Sequence, residues 1–197
     1  MGSENTKFYP DYIEPEKWRI LQDKIFLQSR EWKEIRKRVL ERGSYSCRFC
    51  QIKWKKYQII DHINGMKNDH RLSNLRIICQ LCNLVRHAGF GCIVLKVVDL
   101  YEKSKYPQED IMKITWRMRL ERKNDNEIIK KCGLKKKVNF KMNQRYLNAL
   151  YGFVTSRKPD ISRGSAGAAT LLGAYEFYGF LGYTKYRKLT EFMISKQ

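Results

Sequence analysis

Apolar residues near the start of the chain recur at the spacing of a helix. From Glu16 to about Glu41 they follow one another mostly at three- or four-residue steps, which is the period of an amphipathic helix. Ser29 precedes part of this run and is a good N-cap, so it favours a break between two helices. Gly43 ends the stretch. The apolar positions are Trp18, Leu21, Ile25, Trp32, Ile35 and Val39.

The block from Tyr45 to about Gly91 has a different pattern. Short runs rich in isoleucine replace the helical spacing, and Asn64-Gly65 between them is a strong turn signal. Two glycines, Gly89 and Gly91, would stop a short helix that closes the block. The predicted order of strand, turn, strand and helix falls on residues 57–63, 64–65, 74–78 and 80–88.

The rest of the chain is predicted to be mainly helical. Residues 93–100 are apolar enough for a strand or a buried helix, and residues 110–122 and 143–154 have helical patterns. Residues 125–146 are expected to form a basic solvated helix with a lysine-rich loop, and a faint helix-turn-helix pattern is the alternative. The aromatic segment 170–193 fits a helix pair that forms core, joins two copies or stacks on bases.

Charge narrows the class of partner. The chain has 40 Lys and Arg residues against 20 Asp and Glu residues, a formal net charge of +20. Such an excess repels itself in a folded domain and favours a polyanionic partner, of which nucleic acid is the commonest. An anionic membrane surface is the alternative. We see no apolar stretch near the roughly 20 residues of a membrane span and no signal peptide, so we expect an intracellular protein that binds DNA.

Four of the six cysteines form two pairs. Cys47 and Cys50 make one CxxC knuckle, and Cys79 and Cys82 make the other. Two intervening residues let both thiolates of a pair face one point, which is how tetrahedral zinc is bound. The alternative is a set of buried free thiols or a redox pair. In a basic chain without an export signal, the pattern predicts a structural zinc site in a reducing compartment.

Polar residues suited to hydrolysis lie between and beside these knuckles. Asp61 and His62 end the first predicted strand, Asn74 precedes the second knuckle, and Asn83 follows it directly. Carboxylate and amide oxygens are hard ligands that suit Mg²⁺, and a neutral imidazole can take a proton from water near pH 7. Each residue also has a structural interpretation, as a turn, cap or backbone-bonded side chain. Together they favour single-metal phosphodiester hydrolysis.

Residues 30 to 90 resemble the HNH (ββα-metal) endonuclease family, in particular its four-cysteine members. The order and spacing of Asp61-His62-Ile63, Asn74-Leu75 and Cys82-Asn83 are similar to the core of that family. The segment before the core is also similar, at Trp32, Arg36, Val39-Leu40, Arg42, Tyr45 and the Cys47/Cys50 knuckle. The resemblance implies an α+β fold, in which a zinc-stabilised ββα-metal core carries mainly helical flanks.

The resemblance also implies roles for single residues. His62 would be the general base, Asp61 and Asn83 would hold a catalytic Mg²⁺ or Mn²⁺, and Asn74 would hold the loop that orients His62. The family name expects a last histidine where this chain has Asn83, and His87, one helical turn further on, is the alternative ligand. Arg86 occupies a position where relatives often direct a basic residue toward phosphate.

These inferences predict an arm and helix over 1–29, a nuclease domain over 30–91 and a basic region for DNA binding or dimerisation over 92–197. The expected activity is hydrolysis of DNA, of the kind used in restriction or homing, and a homodimer would suit cutting of both strands. The alternatives are a zinc-stabilised DNA-binding protein without catalysis, and a basic protein directed to RNA or a membrane surface. His70 lies in the polar loop 67–71 and is expected to be exposed.

Overall fold

The computed structural model describes residues 7–12, 21–55 and 58–157. Two consecutive helices open the main body, α1 (Leu21–Gln28) and α2 (Arg30–Arg42). Ser29 separates them as the N-cap of α2, since its side chain accepts a hydrogen bond from the Trp32 backbone N–H at 3.1 Å. Gly43 is the C-cap. The predicted pair of helices is therefore confirmed over the described residues.

An antiparallel hairpin follows, made of β1 (Gln58–His62) and β2 (Leu75–Cys79). The connection passes through Gly65, whose φ of 74° lies in the left-handed region that glycine tolerates best. Helix α3 (Gln80–Arg86) follows β2 directly. The predicted order of strand, turn, strand and helix is confirmed. The helix ends before Gly89, and residues 90–94 then form a single π-helical turn.

The two faces of the hairpin pack against different parts of the molecule. Ile60 and Ile77 belong to a small buried cluster with Trp32 of α2, whereas Ile78 belongs to the larger core. Successive side chains of a strand point to opposite faces. Asp61 therefore faces the side occupied by α3, where it pairs with Arg86, and His62 faces α2, where it stacks on Trp32.

The C-terminal part combines three helices with a three-stranded antiparallel sheet of order β4-β3-β5. The prediction of mainly helical flanks did not include this sheet. The elements are β3 (Val98–Lys103), α4 (Gln108–Leu120), α5 (Asp125–Cys132), β4 (Lys135–Val138), α6 (Gln144–Asn148) and β5 (Tyr151–Val154).

Two predictions in this part are wrong. After α5 the chain turns at Gly133 and forms strand β4 from the lysine-rich residues, so residues 125–146 contain neither the expected lysine-rich loop nor a helix-turn-helix. The predicted helix over 143–154 ends at Asn148, and β5 takes its second half. Tertiary contacts decide this, because the buried Gln108 side chain bonds both the N–H and the C=O of Gly152 at 2.6 and 2.8 Å.

The larger buried cluster joins the N-terminal segment, the thiol end of the hairpin, α3 and the C-terminal part. It includes Phe8 near the N-terminus, Val85 of α3, Ile111 of α4 and Phe153 of β5. The mixed α+β class is confirmed, and this core crosses the boundary predicted between residues 91 and 92. The domain limits themselves stay a prediction, and the aromatic segment 170–193 lies outside the described residues.

Candidate metal centre and hydrolytic site

Four cysteine thiols converge at the end of the hairpin where Gln58 and Cys79 are opposite each other. All four are buried, and their sulfur atoms lie within 4.8 Å of one another. Each predicted knuckle supplies two of them. In residues 7–12, 21–55 and 58–157, this is the group of His, Cys, Asp or Glu side chains that is close enough to hold a metal ion: Cys47, Cys50, Cys79 and Cys82.

The spacing of these sulfurs fits a tetrahedral ion. Zinc bonds thiolate sulfur at about 2.3 Å, which places two sulfurs of a tetrahedron about 3.8 Å apart. The Cys50 and Cys79 sulfurs are 3.6 Å apart. The buried four-thiol group can therefore hold a metal such as zinc, as the sequence predicted.

Hydrogen bonds within the cluster and burial shift the pKa values of its thiols in opposite directions. Hydrogen bonding, first from Cys50, lowers the pKa of the Cys47 thiol. Burial raises the pKa of Cys82. The Cys79 sulfur accepts hydrogen bonds from the Trp116 indole N–H and the Cys82 backbone N–H, both at 3.5 Å. A bound cation would offset the cost of burying several thiolates together.

A cleft of about 580 Å³ runs along β1 from Gln58 to His62, between α2 and α3. Four residues that the sequence predicted for the hydrolytic site line it, together with two large side chains of α2. These residues are Trp32, Arg36, Asp61, His62, Asn83 and His87.

His62 ends β1 and is buried beside aromatic and imidazole rings. The Trp32 ring stacks near its imidazole, with centroids 6.2 Å apart. His70 is 5.5 Å away by the same measure. The prediction that His70 is exposed is wrong, because its half-buried ring stacks on Phe26 at 4.4 Å and its Nε2 lies 2.9 Å from the Lys67 carbonyl oxygen.

The Asp61 carboxylate is held by two arginines. One oxygen, Oδ2, accepts a hydrogen bond from Arg76 Nε at 2.7 Å and lies 3.0 Å from Arg86 Nε. All three side chains are largely buried, and desolvation lowers the pKa of Arg76. A cation bound here would use the second carboxylate oxygen or replace an arginine.

Arg86 points inward rather than into solvent. Besides Asp61, its guanidinium approaches the carbonyl oxygens of His62 and Ile63 at 3.4 and 3.2 Å. It also lies 3.8 Å from Asp11 in the N-terminal segment. It therefore links α3 to the end of β1, and its predicted role toward phosphate stays a prediction.

Asn74 lies against the loop that follows His62. Its side-chain oxygen accepts from the Asn64 N–H at 3.1 Å, and its amide nitrogen donates to the Asn64 side-chain oxygen and the Asp69 carbonyl, both at 2.9 Å. The Asn74 carbonyl also accepts from the Ile63 N–H at 2.8 Å. This placement fits the predicted role of holding that loop.

Asn83 lies in α3, and His87 is the C-cap residue that follows it. The His87 N–H donates to the Asn83 carbonyl at 2.9 Å, so the two side chains are one helical turn apart. Both line the cleft. The choice between them as a metal ligand stays a prediction.

Three contacts at this site were not predicted from the sequence, those of Arg76, His70 and Asp11. Arg76 faces Asp61 across the hairpin, and an arginine opposite an acid in a predicted strand pair was an available signal. His70 and Asp11 reach the site through tertiary packing, which no local pattern reports.

No protein-family model matches the chain, and none of the curated proteins compared matches its sequence. In the described part of the chain, every helix lacks the length or the apolar character that crossing a membrane requires.

Proposed function

We propose that this chain is an HNH-type endonuclease that hydrolyses DNA phosphodiester bonds, with structural zinc and a catalytic Mg²⁺ or Mn²⁺. One observation carries the proposal. Asp61, His62, Asn83 and His87 line a single cleft that runs along β1, in a hairpin that carries the four-thiol cluster where Gln58 faces Cys79. The resemblance of residues 30–90 to that family assigns the same residues to hydrolysis.

The protein's own groups supply most of the chemistry. His62 accepts a proton from the attacking water, since a neutral imidazole is an effective base near pH 7. Trp32 packs on the imidazole and limits its motion, and Asn74 holds the following loop. Asp61 with Asn83 or His87 would hold the hard cation, which when bound stabilises charge on the phosphate and the leaving oxygen.

Charge supports DNA as the substrate class. The net charge of +20 favours a polyanion. Arg36, which donates to the Gln58 carbonyl at 2.8 Å, and Lys67 line the same cleft as His62, so the cleft carries cationic side chains. Burial lowers the pKa of Arg36, so a bound phosphate would compensate its desolvation. An intracellular location with access to DNA belongs to this proposal.

The test uses zinc-loaded full-length protein and supercoiled plasmid. We expect nicking or linearisation with Mg²⁺ or Mn²⁺, and no cutting with EDTA. His62→Ala should lower the rate at least about 100-fold, the range for loss of a general base. Cutting by His62→Ala at the wild-type rate would contradict the proposal, as would DNA binding without cutting in any divalent metal.

A second candidate is a zinc-stabilised DNA-binding protein without catalysis. The observation that favours it is the Asp61 carboxylate, which two arginines already engage. Binding of plasmid with no cleavage in any divalent metal would select this candidate.

A further inference from the structure

We propose that the loop joining β1 to β2 (residues 63–74) is a rigid apolar wedge that inserts into duplex DNA beside the scissile phosphate. The proposal rests on the proposed function and deepens it, because it names how the substrate is gripped. It starts from side chains that the hydrolytic mechanism does not use.

Apolar exposure is concentrated in this loop. Met66 is 64% exposed, Ile63 46% and Leu72 38%. These are half of the six large hydrophobic residues exposed in the described part of the chain. Three exposed apolar side chains within ten residues exceed the single, scattered ones that an ordinary surface carries.

The loop is also held in one conformation by its own polar groups. Asn64 forms the centre, since its side chain accepts from the Met66 N–H and donates to Asp69, both at 2.9 Å. Arg42 of α2 donates to the carbonyl oxygens of Leu72 and Leu75 at 2.8 and 2.6 Å. A segment fixed before binding loses little conformational entropy when its partner arrives.

Charge and position select DNA as the partner. Gly65 and Lys67 of the loop line the cleft that contains His62, and Met66 lies between them in the chain and is exposed. Arg71 is exposed and bonded to Asp69 at 2.7 Å, and its hydrogen bond lowers the pKa of that acid. Apolar side chains flanked by cations are the composition with which proteins wedge apart base steps and hold phosphates.

The test measures DNA affinity separately from cleavage. Full-length, zinc-loaded protein is titrated into labelled 20-base-pair duplexes in EDTA, and fluorescence anisotropy is recorded at several salt concentrations. Met66→Ala should weaken binding about tenfold by loss of apolar burial. The slope of affinity against salt should not change, whereas Lys67→Ala should reduce that slope by about 0.9 for one lost phosphate contact.

Met142→Ala is the matched control. Met142 is 36% exposed and lies in the segment before α6, away from the loop. It should bind as the wild type does.

Duplexes with 2-aminopurine at successive positions should brighten with the wild type and not with Met66→Ala, because wedging unstacks a base.

The outcomes separate this proposal from the nuclease proposal. Wild-type cleavage with equal affinity for Met66→Ala and Met142→Ala would overturn the wedge and leave the nuclease intact. No wild-type cleavage, with weaker binding by Met66→Ala alone, would overturn the nuclease and keep the wedge. Loss of self-association in Met66→Ala, with unchanged DNA affinity, would assign the loop to contacts between two copies and overturn the wedge.

Discussion

The two ends of the β1–β2 hairpin are built on different principles. At the Gln58–Cys79 end, four thiols from two short sequence motifs meet within 4.8 Å. At the His62–Leu75 end, the candidate site depends on side chains from α1, α2, α3 and the N-terminal segment. Phe26, Trp32, Arg86 and Asp11 contribute to it.

From this difference we expect the thiol end to stabilise the fold and the histidine end to carry the proposed chemistry. A metal cluster needs only correctly spaced ligands, which two short sequence motifs can supply. A site that moves a proton needs its base fixed in position, and packing from several elements supplies this. We therefore expect loss of a thiol to affect folding, and loss of the His62 imidazole to affect activity with the fold retained.

The largest expected effect is at the thiol end. Cys79→Ser should lose the metal and unfold much of the chain, because structural zinc contributes about 10–16 kcal/mol in small domains, against a total stability of about 5–15 kcal/mol. Zinc content by elemental analysis and thermal unfolding with and without chelator measure this. Cys92→Ser, outside the cluster, is the control and should keep the metal. A Cys79→Ser protein that melts like the wild type would break the comparison.

The next effect concerns the buried charges beside His62, where the comparison predicts a loss of stability as well as of activity. Asp61→Ala leaves Arg76 and Arg86 buried without their shared carboxylate and should cost about 3–5 kcal/mol. Urea unfolding measures the loss. The exposed pair of Asp110 and Lys113, 2.9 Å apart, is the control, and Asp110→Ala should cost at most about 1 kcal/mol. Equal losses of unfolding free energy in the two variants would show that the buried ion pairs of Asp61 do not stabilise the fold more than an exposed pair does.

A smaller effect tests the packing around His62. His70→Ala should lower kcat about tenfold with KM nearly unchanged, since a displaced catalytic group loses rate. His70→Phe should recover most of the rate, because a phenyl ring can still stack on Phe26. A failure of phenylalanine to recover activity, with zinc content unchanged, would mean that the imidazole itself is required.

The smallest effect is at the start of α2. Ser29→Ala removes the cap that accepts from the Trp32 N–H at 3.1 Å and should lower the free energy of unfolding by about 1 kcal/mol. Zinc content should not change. Thermal unfolding by circular dichroism detects this loss. An unchanged melting temperature would show that the Ser29 cap does not stabilise the protein.

Local patterns predicted the parts of the fold that local chemistry decides. The CxxC knuckles, the Ser29 break and the turn at Gly65 each have a signal within a few residues, and each is present in the structure. The family resemblance of residues 30–90 assigned Asp61, His62 and Asn83 to one site, and the three residues line one cleft.

Tertiary contacts decide the parts that the sequence did not predict. The helix expected over 143–154 gives way to β5, because Gln108 fixes Gly152 and α3 packs closely there. A methyl group on Gly152 would approach Val85 Cγ1 to 2.8 Å. His70 was expected in solvent, and its burial depends on Phe26, far away in the chain. Such contacts leave no periodic trace in the sequence.

The central claim is that the two ends of the hairpin have separable roles, and one sample tests it directly. Purified His62→Ala should contain one zinc per chain, melt near the wild-type temperature and leave plasmid intact in Mg²⁺ when the wild type cuts it. Plasmid cleavage by this variant at the wild-type rate, with its zinc still bound, would contradict the account.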